Sequence, residues 1–162
     1  MAKVYLGLGS NVEPKKHLQL GIRELGKQFG VLELSNIYQS AAVGFDGDDF
    51  LNLVARVQTH IEPLELKHML NEFEDQHGRK RDVPKFSDRT VDIDILLYDE
   101  RILDDAHMVL PRREITSFAH VLKPLADLAP DLLHPGNGES IADLWQAFPK
   151  MDLQLRQLKN FS

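Results

Sequence analysis

The segment from Val91 to Ile95 places two acidic residues in a pattern that otherwise predicts a buried strand. Asp92 and Asp94 alternate with Val91, Ile93 and Ile95. Because successive side chains of a strand point to opposite faces, the aspartates share one face and the apolar residues share the other. Two carboxylates about 7 Å apart on one face need water, a cation or basic side chains around them. The segment therefore predicts a strand with one core face and one charged face.

The hydrophobic periodicity of the preceding residues predicts the rest of the sheet and its helices. Residues 3–8 form a strand pattern, and Pro14 is placed to open a helix. Residues 31–40 and 50–60 are two strand-like runs, and Pro63 opens a second helix before the acidic strand. The order strand, helix, strand, strand, helix, strand predicts an α+β fold of the ferredoxin-like split βαβ type (βαββαβ).

The residues beyond the acidic strand predict additions to this core. Residues 100–115 resemble a hairpin and turn, while residues 117–135 and 140–148 have the pattern of short helices. Residues 151–158 form a last strand-like run. We therefore expect added C-terminal strands and short helices within a single domain, residues 1–162, a length typical of one hydrophobic core.

Composition excludes several classes of function. The chain has 162 residues, a net charge of −6 and no cysteine. An acidic protein lacks the basic footprint of a general nucleic-acid binder, and the absence of cysteine excludes disulfides and zinc–thiolate sites. The first residues lack the long apolar run of a signal or membrane segment. We therefore expect a cytoplasmic protein without nucleic-acid or membrane partners.

A local concentration of positive charge precedes the acidic strand. Its members are Arg79, Lys80, Arg81, Lys85 and Arg89. A charge run is often only a solvated loop that pairs with surface acids. Basic side chains beside paired carboxylates are, however, what magnesium–nucleotide chemistry requires, since the acids hold the metal and the cations neutralise phosphate.

Two further motifs bear on ligand binding. The stretch "GLGSN" lacks the spacing of a dinucleotide-binding loop, and the chain has no Walker A sequence. Phe50 and Asn52 share one face of a predicted strand. An aromatic ring and an amide on one face can stack on and hydrogen-bond a flat heterocycle, although such a pair alone is more often structural.

Several segments together resemble the 6-hydroxymethyl-7,8-dihydropterin pyrophosphokinases of folate biosynthesis. These are "GSN", "FLN", "EDQHGR", "RTVDIDILLYD" and "VLKPLADLAPDLLHP", so the resemblance spans nearly the whole chain. It implies the fold predicted above and transfer of the β,γ-pyrophosphoryl group of ATP to the pterin hydroxymethyl oxygen, with release of AMP. It also implies ATP as co-substrate, two Mg²⁺ ions, and a monomer whose partners are small-molecule substrates.

The same resemblance implies roles for individual residues. Asp92 and Asp94 would bind the metal ions, and Asn52 and Phe50 would hold the pterin. The other implied catalytic or nucleotide-binding residues are Arg79, Arg81, Arg89, Asn71, Glu74 and Arg112, and the other implied substrate-binding residues are Gly44 and His120. Residues 44–49 and 78–90 would act as lids over ATP.

The chain departs from the family pattern in the lid at Ser87 and Asp88 and in the pterin pocket at Phe118 and His120. These departures leave three alternatives open. The first alternative is a divergent paralogue that uses another pterin or heterocyclic alcohol as acceptor. The second is a nucleotide- and pterin-binding module without turnover. The third alternative is an acidic interaction domain with a ferredoxin-like fold, because fold alone does not determine function.

Overall fold

The computed structural model describes residues 1–78, 90–151 and 153–159. Its strands are β1 (Ala2–Ser10), β2 (Glu33–Leu34), β3 (Ile37–Ser40), β4 (Phe50–Thr59), β5 (Asp92–Tyr98), β6 (Leu103–Asp104), β7 (Val109–Leu110) and β8 (Leu155–Leu158). Its helices are α1 (Pro14–Phe29), α2 (Pro63–Gln76), α3 (Glu114–Ser117), α4 (Ala119–Leu128) and α5 (Ile141–Ala147). The predicted order of strands and helices is confirmed.

One antiparallel sheet organises the molecule. Its strand order is β5-β1-β4-β3-β8, and the short β2 also pairs with β4. Strand β1 is central, with β4 on one side and β5 on the other. This order separates β1 from β3 by the intervening β4, which is the split βαβ topology expected from the sequence.

Helices α1 and α2 cover one face of the sheet. Leu18 of α1 and Leu66 of α2 are fully buried there. The sheet contributes the apolar face of the acidic strand, including Ile93 and Ile95, and alternate residues of β1 and β4. The core face predicted for the acidic strand is therefore confirmed, and its burial holds the aspartates toward the opposite side.

The opposite face of the sheet is covered in part by the C-terminal helices. Leu122 and Leu125 of α4 and Ile141 of α5 pack with Val54 and Leu96 of the sheet in a second apolar cluster. The remaining part of this face carries the polar side chains of β4 and β5 and stays open. The position of α4 thus defines one wall of a cavity on the sheet.

Several predicted boundaries were wrong. Strand β1 continues to Ser10, beyond the predicted end at Leu8, because pairing with β4 persists to the Ser10–Leu51 pair. The predicted strand 31–40 is divided into β2 and β3, and the predicted helix 117–135 is shortened to α4 (Ala119–Leu128), since Ser117 ends α3 and no helix follows Leu128 before residue 135. The predicted N-cap Ser140 is confirmed, since its side chain accepts a hydrogen bond from the Asp143 N–H at 3.1 Å.

A residue cluster fastens α4 to the sheet. Asp127 of α4 accepts hydrogen bonds from Tyr38 Oη, from Lys123 Nζ at 2.9 Å and from Asn36 Nδ2 at 3.1 Å. Burial opposes ionisation of Asp127, but these hydrogen bonds outweigh it and lower the pKa of Asp127. The helix that forms a wall of the cavity is therefore held by a charged group beside β3.

Within the described residues, we find no helix that combines the length and apolarity needed to span a membrane.

Candidate active site

The acidic strand presents its carboxylates to an open cavity. Asp92 and Asp94 are partly buried, whereas Val91, Ile93 and Ile95 between and beside them are 2%, 3% and 5% exposed. The predicted alternation of a core face and a charged face is thus confirmed. Both carboxylates line a cavity of about 210 Å³ on the sheet face opposite α1 and α2.

Two glycines lie opposite the aspartates on the neighbouring strand. Gly9 pairs with Asp92 and Gly7 pairs with Asp94. A Cβ atom at Gly9 would stand 3.4 Å from Asn52 Oδ1 and 3.7 Å from Phe50 Cδ2. The absence of a side chain here leaves room for a ligand beside Phe50 and Asn52. Gly7, Leu8 and Gly9 of the stretch "GLGSN" therefore contribute to the cavity floor, a role that was not predicted from the sequence.

The Asn52 amide is held in one orientation. Its Nδ2 donates hydrogen bonds to the Tyr38 carbonyl oxygen at 3.1 Å and to Ser40 Oγ at 2.8 Å. Because a backbone carbonyl can only accept, the amide nitrogen must face Tyr38 and the amide oxygen must face away from it. Asn52 Oδ1 therefore lies near Gly9, where it can accept from an N–H group of a ligand.

Aromatic side chains form the walls of the same cavity. Phe50 and Phe45 meet edge to face, with ring centroids 6.3 Å apart, and Phe118 and His120 are stacked with centroids 5.2 Å apart. All four side chains line the cavity. Burial lowers the pKa of His120 to about 4, so its imidazole is neutral near pH 7. A neutral ring can stack on a flat heterocycle without adding a cation to the pocket.

The charge at the acidic strand is balanced in part by Arg112. Arg112 Nη2 lies 3.5 Å from Asp94 Oδ1. Desolvation is the largest influence on Asp94 and, with repulsion from Asp92, raises its pKa well above the usual range, although the Arg112 guanidinium opposes the shift. An acid with a raised pKa is stabilised by a bound cation, because the cation favours its ionised form.

A second cavity of about 310 Å³ adjoins the first. Asn71, predicted to bind nucleotide, lines it together with Ile95 and His107. Asp94, Arg112 and Glu114 line both cavities. The two spaces therefore meet at the acidic strand, so that ligands in both would face the same carboxylate.

Glu74, also predicted to contact the nucleotide, lies behind the acidic strand. It is 2% exposed and accepts a hydrogen bond from the Ile93 N–H at 2.7 Å. This contact gives Glu74 a structural role in holding the strand, and its nucleotide-binding role stays a prediction.

Gly44, predicted to bind substrate, has a φ of 80° and lies between two residues that line the first cavity, Val43 and Phe45.

Comparison with known proteins agrees with this site. A sequence profile of the 7,8-dihydro-6-hydroxymethylpterin-pyrophosphokinase (HPPK) family matches residues 5–130. The chain is 37% identical over 151 residues to 2-amino-4-hydroxy-6-hydroxymethyldihydropteridine pyrophosphokinase of Pseudomonas aeruginosa, covering 91% of this chain and 92% of that protein. The protein belongs to the HPPK family. An enzyme of the same description from Haemophilus influenzae is 31% identical over 152 residues, covering 91% of this chain and 94% of its own.

A solved structure shows that the HPPK fold is shared. The wild-type HPPK-DHPS of Plasmodium falciparum crystallised with pteroate superposes with a TM-score of 0.70 at 14% identity. The match covers 90% of this chain and 42% of that one, so this chain spans less than half of the Plasmodium protein. At such low identity the likeness concerns the fold alone.

The structure brings most of the predicted HPPK site residues together, but it does not describe all of them. Asp92, Asp94, Phe50, Asn52 and His120 line one cavity. The predicted phosphate-binding residues Arg79, Arg81 and Arg89 and the lid positions Ser87 and Asp88 lie outside the described residues. Their roles stay predictions.

Ser40 and Glu114 also line the cavity, although the sequence did not predict them as site residues, and Phe45 lies within the predicted lid 44–49. Ser40 holds the Asn52 amide through a contact that no local motif signals. Glu114 reaches the cavity because the Arg112 N–H donates to the Leu96 carbonyl oxygen and so fastens the segment between β7 and α3 beside β5. For these residues only the tertiary arrangement supplies the signal.

The donor set at the acidic strand fits a hard divalent cation. Within residues 1–78, 90–151 and 153–159, no group of three or more histidine, aspartate or glutamate side chains is placed to enclose a metal. Mg²⁺ is commonly held by one or two carboxylates together with substrate phosphates and water, which matches an open carboxylate pair between two cavities.

Proposed function

We propose that this chain transfers the β,γ-pyrophosphoryl group of ATP to the hydroxymethyl oxygen of 6-hydroxymethyl-7,8-dihydropterin in folate biosynthesis. In this reaction the hydroxymethyl oxygen forms a bond to the β-phosphorus of ATP, and the bond from that phosphorus to the α,β-bridging oxygen breaks. AMP leaves with the bridging oxygen, and the hydroxyl proton is released. The family assignment and the site geometry both support this activity.

The observation that carries the proposal is the junction of the two cavities at Asp94. The first cavity offers an aromatic wall and the fixed acceptor of Asn52 to a flat heterocycle. The second cavity is lined by Asn71 and could receive a nucleotide. A phosphoryl group that bridges the cavities would then lie beside the carboxylates, as in-line transfer requires.

Asp92 and Asp94 would hold Mg²⁺, which the family resemblance implies, and we propose that two ions bind there. When bound, the metal supplies positive charge to the phosphate oxygens and to the acceptor oxygen. The raised pKa of Asp94, caused chiefly by desolvation, supports a cation at this place. Arg112 would donate hydrogen bonds to phosphate, and we propose the same for Arg79, Arg81 and Arg89.

The protein's other side chains would act by orientation. Asn52 Oδ1 would accept from an N–H of the pterin, since its amide nitrogen is already engaged by Tyr38 and Ser40. Phe50 and the neutral His120 would contact the faces of the ring. No covalent intermediate on the protein is needed, because positioning and charge neutralisation carry this class of transfer. A single cytoplasmic, monomeric domain is part of the same proposal.

An acceptor panel tests the proposal against the divergent-paralogue alternative. With MgATP constant, 6-hydroxymethyl-7,8-dihydropterin would be compared with the analogue whose 2-amino group is replaced by a carbonyl oxygen, and with a simple aromatic alcohol. We expect kcat/KM to be about 100-fold higher for the pterin, because an unmatched polar edge leaves buried groups unpaired. Equal or faster turnover of another acceptor would contradict the assignment. In Asn52→Ala the ratio of kcat/KM for the pterin to kcat/KM for the other acceptors should be smaller.

A further inference from the structure

Three side chains form the partition between the two cavities. Asp94, Arg112 and Glu114 are the residues that both cavities share among those described. Their side chains are 33%, 33% and 29% exposed, so each faces solvent on one side and protein on the other. Any ligand that spans the two spaces must pass these charges.

Arg112 occupies the centre of this group. Its Nη2 lies 3.5 Å from Asp94 Oδ1, and its Nε lies 2.9 Å from Glu114 Oε2. The Nε–H is not aligned for a hydrogen bond to Glu114, so this buried nitrogen lacks a hydrogen-bond partner within the described chain. The Arg112 backbone N–H donates to the Leu96 carbonyl oxygen at 2.9 Å, which ties the residue to β5. The guanidinium is thus held beside Asp94 by charge, with hydrogen-bonding capacity to spare.

The surroundings of Asp94 explain why a cation is held there. Asp92 shares the strand face of Asp94, and the Glu74 and Glu114 carboxylates also repel the ionised form of Asp94. Four acids in one region repel each other unless a positive charge lies among them. Arg112 is the cation that the structure shows in contact with Asp94. Arg112 also lines the second cavity, so a ligand in that cavity would approach a metal ion on Asp94 from the side of Arg112.

We infer that Arg112 is the resident counter-ion of Asp94 and competes with the divalent metal for that carboxylate until a nucleotide draws the guanidinium to its phosphates. This inference rests on the metal role proposed above for Asp94. It makes metal and nucleotide binding cooperative: the metal alone must displace a cation, whereas metal with ATP provides that cation with new anionic partners. Coupling of this kind is reciprocal between the two ligands.

The first test measures binding of Mn²⁺ alone by electron paramagnetic resonance, with the full chain and without nucleotide. Arg112→Met removes the competing cation, and we expect the Mn²⁺ dissociation constant to fall about two- to fivefold, the range for a partly exposed ion pair. Arg112→Lys keeps the charge and should stay near the wild-type value. Arg113→Met is the matched control, since its exposed guanidinium pairs with Asp104. It should change the constant by about 1.5-fold or less, because solvent screens its charge.

The second test measures binding of α,β-methylene ATP, whose scissile bridge is blocked, at saturating Mn²⁺. Here Arg112→Met should weaken binding at least about threefold, because a charged donor to phosphate is lost. Opposite signs in the two measurements are the signature of a counter-ion that changes partners. A merely structural role would weaken both ligands together, and a role confined to phosphate would leave Mn²⁺ binding unchanged. Either result would overturn the inference.

Asp94→Asn separates this inference from the proposed function. If Asp94→Asn loses Mn²⁺ while Arg112→Met binds it as the wild type does, the metal role survives and the counter-ion inference fails. If Asp94→Asn binds Mn²⁺ as tightly as the wild type, the metal role fails and the inference fails with it. Far-ultraviolet circular dichroism of each variant confirms that a folded protein was measured.

Discussion

Glu74 Oε2 accepts a hydrogen bond from the Ile93 backbone N–H at 2.7 Å, and Ile93 is the residue between the two aspartates of β5. The Glu74 side chain is almost fully buried. Helix α2 therefore holds the backbone of the edge strand β5 at the residue that separates the two aspartates. The position of the acidic face thus depends on a helix that packs on the other side of the sheet.

Glu74→Ala should lower the free energy of unfolding by about 2 kcal/mol, because it removes a charged acceptor and leaves a buried N–H unsatisfied. Glu74→Gln keeps an amide oxygen in reach of Ile93 and should cost less. Urea denaturation measures both. The neighbouring exposed Glu72→Ala is the control and should change stability little. A Glu74→Ala variant as stable as the Glu72 variant would show that this contact does not hold the strand.

Asp92→Asn and Asp94→Asn should each lower kcat at least about 1,000-fold while the protein stays folded, because each removes a proposed metal ligand. Asp94→Asn should also raise the unfolding free energy of the metal-free protein near pH 7. The raised pKa of Asp94 means that its ionised form is disfavoured in the folded state, chiefly by desolvation, and the amide avoids that cost. The exposed Asp131→Asn is the control for both measurements. Near-normal turnover in either site variant would exclude the metal role.

His120 should make stability depend on pH. Its pKa is lowered from 6.5 to about 4 by burial, so between these values the unfolded chain binds a proton that the folded chain does not. This stability contribution is present above pH 6.5 and is lost as the pH falls toward 4. From about pH 7.5 to about pH 5 the loss should be about 2 kcal/mol.

His120→Phe is the matched variant for this prediction, because it keeps an aromatic ring and removes the titrating group. Urea denaturation at both pH values should show a smaller acid-induced loss in His120→Phe than in the wild type, by about 2 kcal/mol. An identical loss in the two proteins would mean that His120 is protonated in the folded state as readily as in the unfolded one.

Gly9→Ala should impair the pterin site selectively. The added Cβ would lie 3.4 Å from Asn52 Oδ1 and 3.7 Å from Phe50 Cδ2, beside the groups at which we place the heterocycle. The KM for the pterin should rise about tenfold while the KM for ATP changes little, since a single methyl group in a fitted pocket has an effect of this order. Gly26→Ala is the control, because nothing lies within 4 Å of its added Cβ. Equal changes in both KM values would contradict this position for the ring.

The parts of the site that follow from local patterns were predictable. Alternation alone placed Asp92 and Asp94 on one face of a strand, and the same argument placed Phe50 and Asn52 on one face of another. The sequence order of strands and helices then predicted the topology that brings these faces together. The two carboxylates and the Phe50–Asn52 pair were therefore expected on one sheet.

The rest depends on contacts between distant residues. Gly7 and Gly9 were expected at a strand end and a turn, and only their pairing opposite Asp94 and Asp92 shows that they form the cavity floor. Arg112, which lies between β7 and α3, contacts Asp94 of β5 at the place where the two cavities meet. No periodicity of a single segment encodes such a contact, because it arises from the way β7 and α3 return to β5.

Pyrophosphoryl transfer is tested by following the β-phosphorus of ATP. The enzyme would be supplied with magnesium, 6-hydroxymethyl-7,8-dihydropterin and ATP labelled at the β-phosphate, and the products would be separated. Pyrophosphoryl transfer predicts unlabelled AMP and a pterin diphosphate that carries the label, in a one-to-one ratio. Label retained in ADP, or no consumption of either bound substrate, would exclude pyrophosphoryl transfer by this protein.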